Sequence, residues 1–223
     1  MKNGSILKRV LFASATCVAL STAHVAQANP TLVAIGWANG YENFTVSNHP
    51  SGGVSAGGFS GTWGGTPIVF WCYEMTQSFS LPGTYTDYHA VPLVNLRLSE
   101  LFQADLVSAL TGPVNVNSAA FQLAVWNILY DTDNFVDSGT WFASGDASAI
   151  SLANSWLATL PSSSSFGLVQ LTSLEHQDFV TPGGPLRVPE PSPLPLLGAG
   201  LAAMTLRCGA ARSADTALEP ATA

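Results

Sequence analysis

The pattern of apolar and polar positions divides the centre of the chain into two parts, and the first part predicts strands. Residues 31–37 and 41–47 are rich in strand-forming residues and are separated by an Ala-Asn-Gly turn signal. Residues 67–73 (PIVFWCY) form a continuous apolar run with the length of a buried strand. Residues 77–88 continue with Ser, Thr and Tyr around a Pro-Gly turn, whereas residues 51–65 are a Gly- and Ser-rich stretch that predicts loop.

The second part has helical periodicity. Three helices and a final strand are predicted, over residues 98–110, 118–130, 147–160 and 166–172. Ser118, or Asn117 before it, is the expected start of the second helix, and Asp146 is the expected N-cap of the third. Strands followed by a helical block and a further strand indicate an α+β fold. We expect a mainly antiparallel sandwich or barrel-like sheet with an inserted block of about three helices.

The second predicted helix is apolar on all sides, so we expect it to be buried. Gln122 and Asn127 are its polar exceptions. A buried amide destabilises a protein unless its donors and acceptor are satisfied. Gln122 is therefore either a core glutamine bonded to a strand edge or a group that has reacted.

Charge excludes one class of function. The chain has 7 Lys and Arg against 14 Asp and Glu, a formal net charge of −7. Residues 29–180 hold one basic residue, Arg97, and no lysine. Their acidic residues are Glu42, Glu74, Asp87, Glu100, Asp105, Asp131, Asp133, Asp137, Asp146, Glu175 and Asp178. Nucleic-acid binding needs Lys and Arg to displace counterions, so the sequence predicts a protein that binds no DNA or RNA.

The N-terminus has the three parts of a secretory signal in order. Lys2, Lys8 and Arg9 precede a mostly apolar stretch, and Ala26-Gln27-Ala28 matches an A-x-A cleavage site. The sequence therefore predicts a signal peptide over residues 1–28 and an exported domain over residues 29–180. Of the three cysteines, this domain keeps one, Cys72, in a compartment where cysteines usually pair.

The C-terminal region changes composition. Residues 181–192 are a Pro- and Gly-rich linker, and the apolar run over 194–206 has 13 residues, short of the roughly 20 that a membrane helix needs. The run ends at Arg207, and a further tail spans residues 208–223.

This tail resembles the PEP-CTERM sorting signal, in which a Pro-Glu-Pro motif, here Pro189-Glu190-Pro191, precedes a short apolar transmembrane segment, here 193–207, and a terminal arginine, here Arg207. The resemblance implies transient inner-membrane anchoring and processing by an exosortase in a Gram-negative bacterium that makes exopolysaccharide. The expected destination is the cell surface or the extracellular matrix of a biofilm.

The single cysteine of the domain and the buried glutamine suggest a specific chemistry. If the strand over residues 67–73 packs against the second helix, the Cys72 sulfur can attack the side-chain carbonyl of Gln122 and release ammonia. The product is an internal thioester, which an apolar pocket would shield from water. A mature chain without lysine cannot open this bond through its own side-chain amines.

Two short motifs resemble the paired signatures of thioester domains: Trp71-Cys72-Tyr73 on a strand, and the Gln-Leu-Ala-Val-Trp segment from Gln122 to Trp126 on a helix. The resemblance implies that Cys72 donates the sulfur and Gln122 the acyl group. It also implies that Trp71, Tyr73 and Trp126 form the thioester pocket. Covalent adhesion to an amine- or hydroxyl-bearing surface ligand or exopolysaccharide would follow, with no enzymatic activity, cofactor or metal.

Two other hypotheses on function are compatible with the same residues. The chain would be a structural or carbohydrate-associated matrix protein if Cys72 is simply a buried thiol. A third reading is a hydrolase, because residues 53–57 match G-x-S-x-G around Ser55, with Asp131 and His176 following. That motif needs a strand–turn–helix context, which a Gly- and Ser-rich loop does not provide.

The remaining polar residues predict no metal site. Asp131, Asp133 and Asp137 resemble half of a calcium loop but lack its glycine and terminal glutamate, so a solvated loop is the preferred reading. The three histidines outside the signal segment, His49, His89 and His176, have no ligand spacing and are expected at the surface.

Overall fold

A computed structural model describes residues 29–47, 52–131 and 133–183. The fold is α+β, a curled antiparallel half-barrel with three helices, which confirms the expected fold class. The predicted signal peptide, the sorting motif with its apolar segment, and His49 lie outside the described residues. No helix within these ranges has the length and apolar character to span a bilayer.

Ten strands and three helices make up the described part of the chain. The strands are β1 Leu32–Trp37, β2 Glu42–Val46, β3 Gly53–Ala56, β4 Phe59–Trp63, β5 Thr66–Cys72, β6 Gly83–Tyr85, β7 His89–Leu93, β8 Ala143–Ser144, β9 Leu168–Thr172 and β10 Phe179–Pro182. The helices are α1 Leu96–Thr111, α2 Val116–Tyr130 and α3 Ala147–Ala158.

The strands form two sheets. The larger has seven strands in the order β6-β1-β4-β5-β10-β9-β7, so β5 is its central strand, and the smaller has the order β3-β2-β8. All pairings are antiparallel. The helices are inserted between β7 and β9, which pair directly, and α2 packs between α1 and α3.

The apolar run of β5 predicts a buried strand, and its second half, Phe70–Cys72, is buried, whereas Thr66 and Pro67 at its start are exposed. Successive strand residues point to opposite faces. Phe70 contacts Phe59 and Phe179 within the sheet, with ring centroids 5.5 and 4.8 Å away. Its neighbour Trp71 contacts Phe102 of α1 and Phe121 of α2. The central strand is therefore the layer between an aromatic cluster and the helices.

Strands β3 and β4 lie in the stretch that the sequence predicts as loop. In β4, Phe59, Gly61 and Trp63 are buried and alternate with half-buried Ser60 and Thr62. Glycine is required at position 61 because an added Cβ would lie 2.1 Å from the Val33 carbonyl oxygen of the paired strand. The alternation of apolar and polar residues that would reveal β4 in the sequence is interrupted, because one of its three buried positions is a glycine without a side chain.

The structure also moves two predicted boundaries. The second helix begins at Val116 after Asn115, which has a positive φ of 68° and makes no side-chain cap, so neither Asn117 nor Ser118 is the cap. Ser118 instead accepts a hydrogen bond from the Gly58 amide (2.9 Å). The predicted linker overlaps β10, because Thr181 is buried and its hydroxyl donates to the Val69 carbonyl (2.8 Å).

Asp146 is the N-cap of α3, as predicted: its carboxylate accepts a hydrogen bond from the Ala149 amide at 2.8 Å. We expect Asp146→Ala to lower the free energy of unfolding by about 1 kcal/mol, since a helix amide loses its acceptor. Urea unfolding measures the change. Ser148→Ala, at an exposed position two residues further along, is the control and should stay within about 0.5 kcal/mol of the wild type. Equal stability of the two variants would contradict the capping role.

Candidate functional site

The structure brings Cys72 and Gln122 into direct contact. The Gln122 side-chain carbonyl oxygen accepts a hydrogen bond from the Cys72 amide (2.9 Å), and its amide nitrogen donates to the Cys72 carbonyl (3.0 Å). The carboxamide is thus held against the backbone of the same residue whose sulfur would attack it. Both residues of the predicted pair therefore occupy one site.

The order of the strands explains why the Gln122 side chain forms hydrogen bonds with the backbone of Cys72. Strand β4 begins at Phe59, opposite Phe70, so the end of β5 extends past its neighbour on that side. On the other side, Cys72 stands opposite Phe179 of β10. Buried backbone groups need partners. The Gln122 amide supplies both hydrogen bonds at the edge that β4 leaves open, which confirms the predicted bond to a strand edge.

The helix that carries Gln122 is buried as predicted. Every residue of α2 from Asn117 to Asn127 is buried, and Gln122 has no exposed surface. Phe121, directly before it, packs against Trp71 and Phe102 with ring centroids 4.8 and 4.9 Å away. The carboxamide therefore sits in a water-poor environment between a helix and the central strand.

The Cys72 thiol is protonated in this environment. Burial, reinforced by the nearby Glu74 carboxylate, raises the pKa of the thiol far above its usual range, because the thiolate would be poorly solvated there. The Glu74 carboxylate accepts from the Gln77 amide and faces the loop that follows β5. Any reaction of Cys72 must therefore pass its proton directly to another group at the site.

The three aromatic residues that the resemblance places at the pocket have different positions. Trp71 is fully buried and packs beneath Gly58, where an added Cβ would lie 2.6 Å from Cε2 of the indole. Tyr73 is half-buried, and burial with the nearby Asp178 carboxylate raises its pKa. Trp126 lines a pocket together with Cys72.

That pocket has a volume of about 250 Å³ and opens beside Cys72. Its walls come from β1, β3, β4, the end of β5, the loop 75–81, α2 and the segment before β10. They are Trp37, Gly53, Val54, Ser55, Phe59, Cys72, Met75, Gln77, Ser78, Phe79, Leu81, Trp126 and Gln177. Apart from Cys72 and Trp126, sequence reasoning did not assign these residues to the site, because no motif links positions so far apart.

Ser55 and His176, which the hydrolase hypothesis assigns to a catalytic triad, form hydrogen bonds with residues outside that triad. Ser55 lies in a strand that is followed by another strand, and its hydroxyl donates to Asn43 Oδ1 (2.8 Å). His176 is half-buried, and its Nδ1 pairs with Asp87 Oδ2 at 3.0 Å. The strand–turn–helix context of a nucleophile elbow is absent around Ser55.

The carboxylates of the acidic loop after α2 accept hydrogen bonds from neighbouring protein groups. Asp131 accepts from the Trp141 amide, Asp133 from Asn127 and the Phe135 amide, and Asp137 from Asn154. Within the ranges that the structure describes, no three His, Cys, Asp or Glu side chains converge in a way that would hold a metal ion.

Comparisons with protein-family models, with curated proteins and with solved structures found no match to this chain.

Proposed function

We propose that this chain is an exported surface or matrix protein whose domain forms a thioester between Cys72 and Gln122 and uses it to attach covalently to a partner. The observation that carries the proposal is the pair of hydrogen bonds between the Gln122 carboxamide and the Cys72 backbone. Together they hold the acyl donor against the backbone of the residue that carries the thiol, and both residues are buried.

The geometry supports the bond-forming step in two ways. Holding the two groups in place replaces an encounter between separate molecules. The Cys72 amide, which already donates to the Gln122 carbonyl oxygen, would also stabilise the negative charge that this oxygen gains when sulfur adds to the carbonyl carbon. No substrate has to enter for this step.

The step is balanced within the site. The Cys72 sulfur forms a bond to the Gln122 carbonyl carbon, and the bond from this carbon to the amide nitrogen breaks. The thiol proton moves to the departing nitrogen, which leaves as ammonia, so the poorly solvated thiolate never needs to persist. An amine or hydroxyl of a partner would later displace the sulfur and become linked to Gln122, with its proton passing to Cys72.

Intact mass spectrometry of the purified full-length chain tests the proposal. We expect the wild type to be lighter than its sequence by one ammonia, in addition to any processing, and Cys72→Ala and Gln122→Ala to show no such deficit. Methylamine at alkaline pH, where more of the amine is unprotonated, should add to the wild type and to neither of these two variants. Gln103→Ala, an exposed glutamine on α1, is the matched control and should keep the deficit.

A wild-type chain of full mass, with a Cys72 thiol that alkylates once the protein is denatured, would overturn the thioester. The second candidate, a matrix domain without the bond, would then apply. One specific observation favours it: the Gln122 hydrogen bonds satisfy the open edge of β5 without any reaction. In that case Cys72 is a core thiol, and attachment to the surface depends on the predicted sorting tail alone.

A further inference from the structure

We infer that the end of α2 and the loop after it bind a calcium ion, held by the carboxylates of Asp131 and Asp133 and by the side-chain oxygen of Asn127. Asn127 belongs to α2 and the two aspartates follow it, so the ion would fasten the end of this helix to the loop. The inferred site takes no part in the chemistry of Cys72 and Gln122, and it does not depend on the proposed function.

The two aspartates direct a carboxylate oxygen at the same place. Oδ2 of Asp131 and Oδ2 of Asp133 both lie within 2.6 Å of the point where a Cβ of residue 139 would stand. Residue 139 is a glycine with a φ of 93°, so no side chain fills that point. Calcium binds oxygen ligands at about 2.3–2.6 Å. Two oxygens this close to one point can therefore both contact a single ion beside the glycine.

A third oxygen at this place has no hydrogen-bond donor. Asn127 has no exposed surface, and its Oδ1 has no partner in the described part of the chain. Its Nδ2 donates to Asp133 Oδ1 and to the Phe135 carbonyl, both at 3.2 Å, so the carboxamide lies against the Asp133 carboxylate. A buried acceptor is expected to have a partner, and an ion is one such partner. Since carboxylates only accept, a cation is the group that satisfies all three side chains at once.

The domain has a single basic residue with which to balance the charge of the two carboxylates. Arg97 is the one basic residue in 29–180, and its Nη2 donates to Asn134 Oδ1 at 2.6 Å. Within the described ranges it forms no ion pair with Asp133. Two carboxylates that face one gap repel each other, whereas a divalent cation between them attracts both.

The three side chains favour calcium among the divalent cations. Carboxylate and amide oxygens suit calcium and magnesium, whereas zinc sites usually contain Cys or His. Magnesium requires near-ideal octahedral geometry at about 2.0–2.1 Å, whereas calcium accepts irregular sites of about six to eight oxygens. Backbone carbonyls and waters would complete the ligand set. With two carboxylates, we expect a Kd on the order of 10⁻⁴–10⁻³ M, the range of extracellular calcium modules.

Asp137 lies in the same acidic loop but outside the inferred site. In the part of the chain that the structure describes, no three acidic, His or Cys side chains converge as metal ligands, so Asp137 does not join Asp131 and Asp133. It is exposed, and its Oδ1 accepts from Asn154 Nδ2 at 3.0 Å. The loop therefore offers a matched control, an aspartate with the same charge that does not contact the gap at Gly139.

Binding is tested on the purified full-length chain after a chelator has removed bound metal. Terbium replaces calcium in such sites and emits light when a nearby tryptophan is excited. Trp141, whose backbone amide donates to Asp131 Oδ2 at 2.9 Å, is the expected sensitiser. We expect saturable terbium emission that calcium displaces. Asp133→Asn keeps the shape and removes one charged ligand, so it should weaken calcium binding at least about tenfold, whereas Asp137→Asn should change it by less than about twofold.

Urea unfolding with and without calcium shows whether the ion binds the folded chain. Calcium at about 10 mM, above the expected Kd, should raise the wild-type midpoint, because a ligand of the folded state stabilises it. Asp133→Asn should lose most of this increase, and magnesium at the same concentration should produce less of it. Unfolding in chelator establishes that the variant folds. If it does not fold, Asp131→Asn takes its place, since an asparagine oxygen can still accept from the Trp141 amide.

Two results would overturn the inference. The first is terbium emission no stronger than that of Asp133→Asn together with a midpoint that calcium does not change, in which case water satisfies Asn127. The second is an equal loss of calcium binding in Asp137→Asn and Asp133→Asn, because the ion would then bind the acidic loop irrespective of the gap at Gly139. Neither result bears on the mass of the Cys72–Gln122 pair, so the proposed function is tested separately.

Discussion

Gln122→Leu is expected to lower the free energy of unfolding by about 2–6 kcal/mol, because it leaves two buried backbone groups of residue 72 without partners, at about 1–3 kcal/mol each. The two hydrogen bonds that it removes are those at 2.9 and 3.0 Å between the carboxamide and the strand. Leucine is similar in size, so the loss reports on hydrogen bonding more than on packing.

The comparison should be made in a Cys72→Ala background. A thioester would itself stabilise the wild type by cross-linking the chain, and alanine at position 72 removes that contribution while keeping the backbone. Urea unfolding gives the free energies. Gln103→Leu, the same substitution at an exposed position on α1, is the control. If Gln122→Leu were as stable as its background, the carboxamide would not be the edge partner of β5.

Trp71→Ala is expected to lower the free energy of unfolding by about 3–5 kcal/mol, the usual loss for a large aromatic side chain in a core. Trp71 has no exposed surface and contacts Phe102 and Phe121 across the interface between the central strand and the helices. Its removal leaves a cavity that two helices and a sheet cannot close without disturbing both layers.

Urea unfolding of Trp71→Ala measures the loss as a lower midpoint with an unchanged slope. Trp71→Phe should cost less, because the indole N–H of Trp71 has no hydrogen-bond acceptor among the residues that the structure describes, and no such bond disappears with it. Val94→Ala, at a side chain that is 97 % exposed, is the control and should change stability by less than about 0.5 kcal/mol. A loss no larger than that of Val94→Ala would contradict the packing role.

The elements with strong local patterns were predictable. Strand β5 contains a long apolar run because its second half is buried between the sheet and the helices, and α2 is apolar all round because it packs between α1 and α3. Strand β4 was not predictable, since Gly61 occupies an inward position where the backbone of β1 comes close. The start of α2 was missed because Asn115 adopts a left-handed φ and caps without its side chain.

The residues of the candidate site also fall into those that the sequence indicates and those that it does not. Cys72 and Gln122 could be singled out because each is a chemical exception within an apolar segment. Gln77, Phe79 and Gln177 could not, because they are ordinary residues in their own segments and line the same pocket as Cys72 only as a result of the fold. The edge that β4 leaves open also depends on strand register, which no local pattern reveals.

The placement of Gln122 halfway along α2 has a mechanical consequence. A partner linked to Gln122 would pull on a helix that is buried between two others, and the released Cys72 would no longer tie that helix to the central strand of the larger sheet. Under load, the attachment would then fail when α2 is drawn out of the domain, since the covalent link itself does not dissociate. The strength of such an anchor would be set by how well the domain resists unfolding, and hardly at all by its noncovalent affinity for the partner.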